Sequence, residues 1–126
     1  MNKLFQVGLV LALSVNSAFA VSRTLSAADA QELRSVLPTQ GSDGISLDKA
    51  NCYISAKSAG CTLDASGHDE FVSEGLGDTL AQLFYPNDAS RITEYTDLQG
   101  APYESFEAWD IECLAQKDGS LVCDFR

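Results

Sequence analysis

The chain has 126 residues, 45% of them hydrophobic and 21% charged, with 18 Asp and Glu against 8 Lys and Arg. Its length and apolar content predict one globular domain with a real hydrophobic core. The net charge of −10 argues against binding to nucleic acid or to anionic membrane surfaces, because both require basic patches. If the protein binds a partner, this charge favours a basic protein.

The first 20 residues have the layout of a secretory signal peptide. Lys3 gives a short basic start, residues 4–15 are almost continuously apolar, and Ala18-Phe19-Ala20 fits a small-x-small cleavage site. The apolar run is too short to span a membrane comfortably. We therefore expect residues 1–20 to be a signal peptide. Residues 21–126 are expected to form a single α+β domain, periplasmic or secreted, with no membrane insertion after cleavage.

Two segments have apolar residues at helical spacing, and each is preceded by a serine that can act as an N-cap. The first helix is expected from Ser26 to Leu37, and the second, capped by Ser73, from Glu74 to Tyr85. A proline directly after each segment should end it. Two glycines weaken the first turn of the second helix, so the start of this helix can shift by several residues.

All four cysteines follow the signal segment: Cys52, Cys61, Cys113 and Cys123. In an oxidising compartment the expected state is two disulfides. Three pairings are possible, and hairpin geometry favours Cys52–Cys61 with Cys113–Cys123. Each would close a loop of about ten residues, for which chain entropy predicts a stabilisation of about 2.5 kcal/mol. A zinc site is disfavoured because the spacings are wider than the usual knuckles, and we expect neither a metal nor another cofactor.

Two segments alternate in the manner of β-hairpins. Residues 45–63 turn near Ala56-Lys57, and Lys117-Asp118-Gly119 suits a three-residue hairpin loop. Each turn sets two cysteines opposite each other, at a separation that a disulfide can span. One face of the second hairpin is the expected heart of the core: Trp109, Ile111, Cys113, Ala115, Leu121, Cys123 and Phe125.

The predicted fold is an antiparallel sheet of two disulfide-stapled β-hairpins with two helices packed on one face. The order helix, strand, strand occurs twice along the chain. In both halves the helix ends at a proline and the strands contain a cysteine pair, C-x₈-C in the first and C-x₉-C in the second. This similarity raises the hypothesis of a tandem αββ repeat.

Residues 87–103 have little pattern and are expected to form a long surface loop, with one extended piece from Arg91 to Tyr95. Long loops in small domains are often functional. Tyrosine is a favoured anchor of binding hot spots, and acidic residues follow the loop directly. We expect one aromatic and acidic patch that binds a basic protein, formed by Tyr95, Tyr103, Glu104, Glu107 and Asp110.

No stretch of the sequence has a specific catalytic signature. His68 is the single histidine, and Asp69 and Glu70 could orient it, but no nucleophile has a defined place beside it. Carboxylates near the last hairpin could act as a glycosidic acid–base pair only at a defined separation. We therefore expect a monomeric binding module and not an enzyme. The alternatives are an enzyme inhibitor, a small carboxylate-dependent hydrolase and a structural envelope protein.

Overall fold

The computed structural model describes residues 21–37 and 43–126, so the expected signal segment and Pro38 lie outside the described residues. These described residues form an α+β fold with two helices and seven strands, and the strands make one antiparallel sheet. The helices are α1 (Ala27–Val36) and α2 (Glu74–Leu83), and Ala89–Arg91 form a short 3₁₀ turn. The strands are β1 (Val21–Leu25), β2 (Gly44–Ser55), β3 (Ala59–Ala65), β4 (His68–Phe71), β5 (Thr93–Thr96), β6 (Pro102–Ala115) and β7 (Leu121–Phe125). Neither helix is long and apolar enough to cross a membrane.

The two long strands β2 and β6 form the centre of the sheet. The strand order is β1-β7-β6-β2-β3-β4, and β5 pairs with β6 as well. β6 pairs with β2 from Tyr103 to Leu114. Along its other edge, β5 pairs with residues 102–105 and β7 with residues 112–115. The edge of β6 near Glu107 therefore lies between the ends of two shorter strands.

Both expected disulfides are present, one in each hairpin. Cys52 lies directly opposite Cys61 with 4.1 Å between their Cα atoms, and Cys113 lies opposite Cys123 at 3.9 Å. Closely opposed residues of antiparallel strands are the ones that a disulfide can join. The pairing thus follows from the register of each hairpin.

The turn of the second hairpin depends on one glycine and one aspartate. Gly119 adopts a positive φ of 90°, which glycine allows at no steric cost. Asp118 accepts hydrogen bonds from the hydroxyl of Ser120 at 2.6 Å and from its backbone N–H at 2.9 Å. These bonds stabilise the carboxylate and hold the pKa of Asp118 below its ordinary value.

Both helices begin at the serines that the sequence indicates. The Ser26 hydroxyl accepts from the N–H of Asp29, and the Ser73 hydroxyl accepts from the N–H of Leu76. Their buried side chains belong to one core cluster with the inward side chains of the sheet. At its centre the ring of Phe84 packs edge-on against Phe125, with 5.1 Å between centroids. The helices therefore cover one face of the sheet and leave the other uncovered.

The two central strands each lose their alternation at one place, and this corrects the predicted core. In β6 the buried positions are even-numbered up to residue 108 and odd-numbered from residue 111, and β2 shifts in the same way after Leu47. Asp110 has a positive φ of 52°, and Trp109 consequently faces away from the core, 41% exposed. The placement of Trp109 in the core was wrong. The other members of that set lie on the core side: Ile111, Cys113, Ala115, Leu121, Cys123 and Phe125.

Residues 87–103 do not form the long loop that the sequence predicts. They contain the 3₁₀ turn, capped by Asp88 through the N–H of Ser90, and then β5, which forms a hairpin with the start of β6. The expected extended piece from Arg91 to Tyr95 overlaps β5. All four residues of β5 are exposed, so this edge strand has no apolar alternation from which a sequence pattern could predict it.

Candidate binding face

The uncovered face of the sheet, which we term the outer face, has most of the exposed aromatic surface of the described residues. Tyr53 and Trp109 are each 41% exposed, Tyr95 is 48% exposed and Phe71 is 78% exposed. They come from β2, β6, β5 and β4 respectively. The half-buried Tyr103 stacks on Tyr95 with 5.4 Å between ring centroids. Exposed apolar surface that is contiguous on one face marks an interaction site.

A first depression lies on the outer face between Trp109 and Tyr95, with a volume of about 440 Å³. It is situated at the edge of β6 between the ends of β5 and β7. Arg91 contributes to its lining. Polar side chains from three strands line it as well: Asn51, Thr93, Ser105 and Glu107.

A second depression, of about 480 Å³, lies between Tyr53 and Phe71. Gly60 makes it possible, because a Cβ at this position would lie only 2.9 Å from Cε1 of Tyr53. The tyrosine ring therefore rests on the glycine backbone and forms a wall. Asn51 lines both depressions, so they adjoin across β2.

A cation of this chain lies beside the first depression, against two of the residues that line it. The Lys49 ammonium lies 4.9 Å from the centroid of the Trp109 ring and 3.8 Å from Oε2 of Glu107. Nearby, the Arg126 guanidinium binds the Asp110 carboxylate. Such contacts stabilise exposed sites by about 1 kcal/mol or less each. Their importance is chemical: a ring and a carboxylate together form a site for a positive charge.

The structure brings four of the five predicted binding residues to the outer face: Tyr95, Tyr103, Glu107 and Asp110. Glu104 lies on the other side of β6, where its carboxylate accepts a 2.9 Å hydrogen bond from the hydroxyl of Tyr85. This bond, together with burial and the negative charge of Glu104, raises the pKa of Tyr85 above its ordinary value. Glu104 is therefore part of the packing on the helix side of β6.

Three aromatic residues of this face were missed from the sequence. Trp109 was assigned to the core, and Tyr53 and Phe71 were given no role. One signal was available for Tyr53: it follows Cys52 directly, and neighbours of a buried strand residue point to the opposite face. The grouping with Phe71 needed the strand order, since β4 is distant in sequence from β5 and β6.

His68 and the carboxylates of the last hairpin do not converge on one point. His68 is exposed at the start of β4, and two strands separate β4 from β6, a distance of roughly 14 Å at the usual strand spacing. Glu112 lies directly opposite Asp124, and both are exposed, whereas Glu104 is eight positions from Glu112 on β6, about 26 Å away. Within residues 21–37 and 43–126, no group of three His, Cys, Asp or Glu residues could hold a metal ion.

Comparison with protein-family models, with curated proteins and with solved structures gave no match. The chemistry of the outer face is therefore the basis for assigning a function.

Proposed function

We propose that the protein is a binding module that engages a basic protein through the outer face. The observation that supports this most directly is the exposure of Tyr53, Phe71, Tyr95 and Trp109 around two adjoining depressions. The solvent face of an antiparallel sheet is ordinarily polar, so folding alone gives no reason for four exposed aromatic rings. Tyr and Trp are the residues that dominate binding hot spots. An enzyme inhibitor is one form that such a module could take.

The positions of the titratable groups support binding over catalysis. A glycosidic acid–base pair holds its carboxyl groups about 5–9.5 Å apart around a bound sugar. Glu112 and Asp124 are neighbours across β6 and β7, but both are exposed and neither lines one of the two depressions. His68 is exposed at the sheet edge, far from the aromatic residues of β5 and β6. The positions of the carboxylates and of His68 favour the interpretation that the acidic residues attract a basic partner and accelerate its association with the protein.

We also propose that the protein is exported. Two disulfides are the state expected in an oxidising compartment, and residues 1–20 have the layout of a signal peptide. The mature protein should begin at Val21, the first residue of β1. Intact-mass measurement of the exported protein checks this, and retention of residues 1–20 would contradict it.

We further propose that the two halves are a tandem repeat, with the unit βαββ and β5 as an insertion. The first unit is β1-α1-β2-β3 and the second is β4-α2-β6-β7; β1 pairs with β7, and β4 pairs with β3. Each helix has a serine N-cap. The alternation of each central strand breaks at the same place, four residues before Cys52 at Asp48 and four before Cys113 at Trp109. The two breaks lie opposite each other in the pairing of β2 with β6, so the mirrored strand order is the stronger support for common descent of the halves.

Replacing Tyr95 by alanine should weaken capture of the partner and leave the Tm nearly unchanged. The ring is half exposed, and its main contact is the stack on Tyr103, which contributes about 0.5–1 kcal/mol at a sheet surface. Tyr103→Ala should act in the same direction. The measurement is the amount of basic protein retained from periplasmic or extracellular extract by the immobilised protein, with the Tm of each variant from circular dichroism.

Two control variants locate the effect. Leu114 is exposed on the other half of the outer face, and Leu114→Ala should leave capture unchanged, as should His68→Ala. Equal losses for Leu114→Ala and Tyr95→Ala would show that the aromatic half is not the binding surface. If Tyr95→Ala or Tyr103→Ala unfolds the protein, the two rings have a structural role and the assignment of a binding role to them is wrong. A hydrolytic activity that disappears in His68→Ala would replace the binding proposal with an enzymatic one.

A further inference from the structure

We infer that the partner presents an extended cationic segment that crosses the strands and places two basic side chains, three residues apart, in the two depressions. This inference rests on the proposed use of the outer face, and it specifies what that face binds. Three features support it: the spacing of the depressions, the charges that line them, and the cation that the chain itself places against Trp109 and Glu107 of the first one.

The depressions are separated by about two strand spacings. The first is centred over β6 and the second over β3, with β2 between them, which corresponds to roughly 10 Å. In a polyproline II chain, residues three apart lie on the same side and about 9 Å apart, because three residues complete a turn at 3.1 Å each. Residues three apart in a β-strand point to opposite faces. The spacing therefore fits a polyproline II segment, a conformation that aromatic-lined grooves bind.

Each depression combines aromatic walls with one carboxylate. Trp109 and Glu107 line the first, and Tyr53 and Glu74 line the second. An aromatic face attracts a cation, and a carboxylate can accept its hydrogen bonds. Lys49 demonstrates this chemistry within the chain, since its ammonium lies over Trp109 and near Glu107.

The second depression should prefer a basic side chain over a neutral one more strongly than the first depression does. The first is lined by Arg91 as well as by Glu107, and Lys49 lies beside it, so its charges partly cancel. Among the described residues that line the second depression, Glu74 is the only charged one. An incoming arginine there would meet an unopposed carboxylate. Substitution of Glu74 is consequently the sharper test of the two.

The test uses the purified protein with its disulfides formed and two peptides of identical composition. One is Arg-Pro-Pro-Arg-Pro-Pro-Arg, and the other is Arg-Arg-Arg-Pro-Pro-Pro-Pro, both with blocked termini. Trp109 is the only tryptophan, so its fluorescence reports occupation of the first depression, and calorimetry on the same samples gives the Kd. We expect the spaced peptide to bind about tenfold more tightly than the clustered one, with an affinity that falls as salt rises.

Two matched variants in α2 complete the design. Glu74→Gln should weaken binding of the spaced peptide about fivefold and bring its affinity closer to that of the clustered peptide. Asp78→Asn removes a carboxylate one turn further along the same helix, outside both depressions, and should change neither affinity. Equal loss in both variants would indicate a general charge effect and overturn the two-site inference.

The remaining outcomes separate this inference from the proposed function. Equal affinity for the two peptides would overturn the spacing argument. A neutral oligosaccharide, chitohexaose, that perturbs Trp109 while neither peptide binds would show that the outer face binds a different class of ligand. If neither peptide binds but capture of a basic protein still depends on Tyr95, the inference of a cationic segment is wrong and the proposed binding function remains. Absence of both would overturn the two proposals together.

Discussion

Replacing Cys113 and Cys123 together by alanine should destabilise the protein more than replacing Cys52 and Cys61 together. The loops closed are nearly equal, with sequence separations of 10 and 9, so chain entropy contributes about 2.5 kcal/mol to each. The difference comes from packing. Cys113 and Cys123 are 2% and 0% exposed, whereas Cys52 and Cys61 are 2% and 7% exposed. Cys61 lies on β3, one strand from the edge of the sheet. Loss of the more deeply buried sulfurs should add about 1 kcal/mol through the cavity left behind.

Urea denaturation of the two double variants and of the unaltered protein measures both free energies of unfolding. Equal losses, or a larger loss when Cys52 and Cys61 are replaced, would contradict the packing argument. Non-reducing peptide mapping of the unaltered protein supplies the control for connectivity. A peptide that links Cys52 or Cys61 to either later cysteine would contradict the two-hairpin arrangement, and with it the tandem repeat.

Features set by short stretches of chain could be predicted from the sequence. The N-caps at Ser26 and Ser73 need only a serine before an apolar stripe, and both were placed correctly. The turn at Gly119 fixes the register of the last hairpin, and that register sets Cys113 opposite Cys123. In each case the physical cause lies within a few residues of its effect, so no knowledge of the tertiary structure is required.

The side of β6 that faces the core could not be predicted, because one backbone conformation decides it. Aspartate is one of the few residue types enriched at positive φ, but most aspartates do not adopt it. Asp110 does, and every side chain of β6 before it changes face relative to the simple alternation. β5 was predicted only as an extended piece of a loop from Arg91 to Tyr95, and its pairing with β6 was missed for a different reason. It is an exposed edge strand whose formation depends on pairing with β6 and not on its own apolar pattern.

Only one of the two walls of the candidate site could be predicted from the sequence. Tyr95, Tyr103, Glu107 and Asp110 follow one another along the chain, so their grouping could be proposed from proximity in sequence. The other wall of the site comes from β2 and β4, which are adjacent to these residues only through the strand order. Trp109 belongs to the site because of the same backbone interruption that removes it from the core. The error about the core and the omission from the site therefore have one physical cause.

Replacing Gly77 by alanine should destabilise the protein, although alanine is the better helix former. Helix propensity favours the substitution by about 1 kcal/mol. Against it, a Cβ at this position would lie 2.9 Å from the Cα of Gly60 and 3.4 Å from the carbonyl oxygen of Ala59. Both are backbone atoms of β3, so relief requires α2 to move away from the sheet, and such overpacking costs about 1–3 kcal/mol. We expect a net loss of up to about 2 kcal/mol in urea denaturation.

Gly75→Ala, two positions earlier in α2, provides the matched control. Nothing lies within 4 Å of a Cβ at Gly75, so this variant should be unchanged or stabilised by up to about 1 kcal/mol. Equal effects of the two substitutions would show that α2 does not pack closely on β3.

The contact between Gly77 and Gly60 also connects the core with the binding face, since Gly60 has α2 on one side and the Tyr53 ring on the other. A displacement of Gly60 in Gly77→Ala should therefore move this wall of the second depression and weaken binding there, whereas Gly75→Ala should leave binding intact.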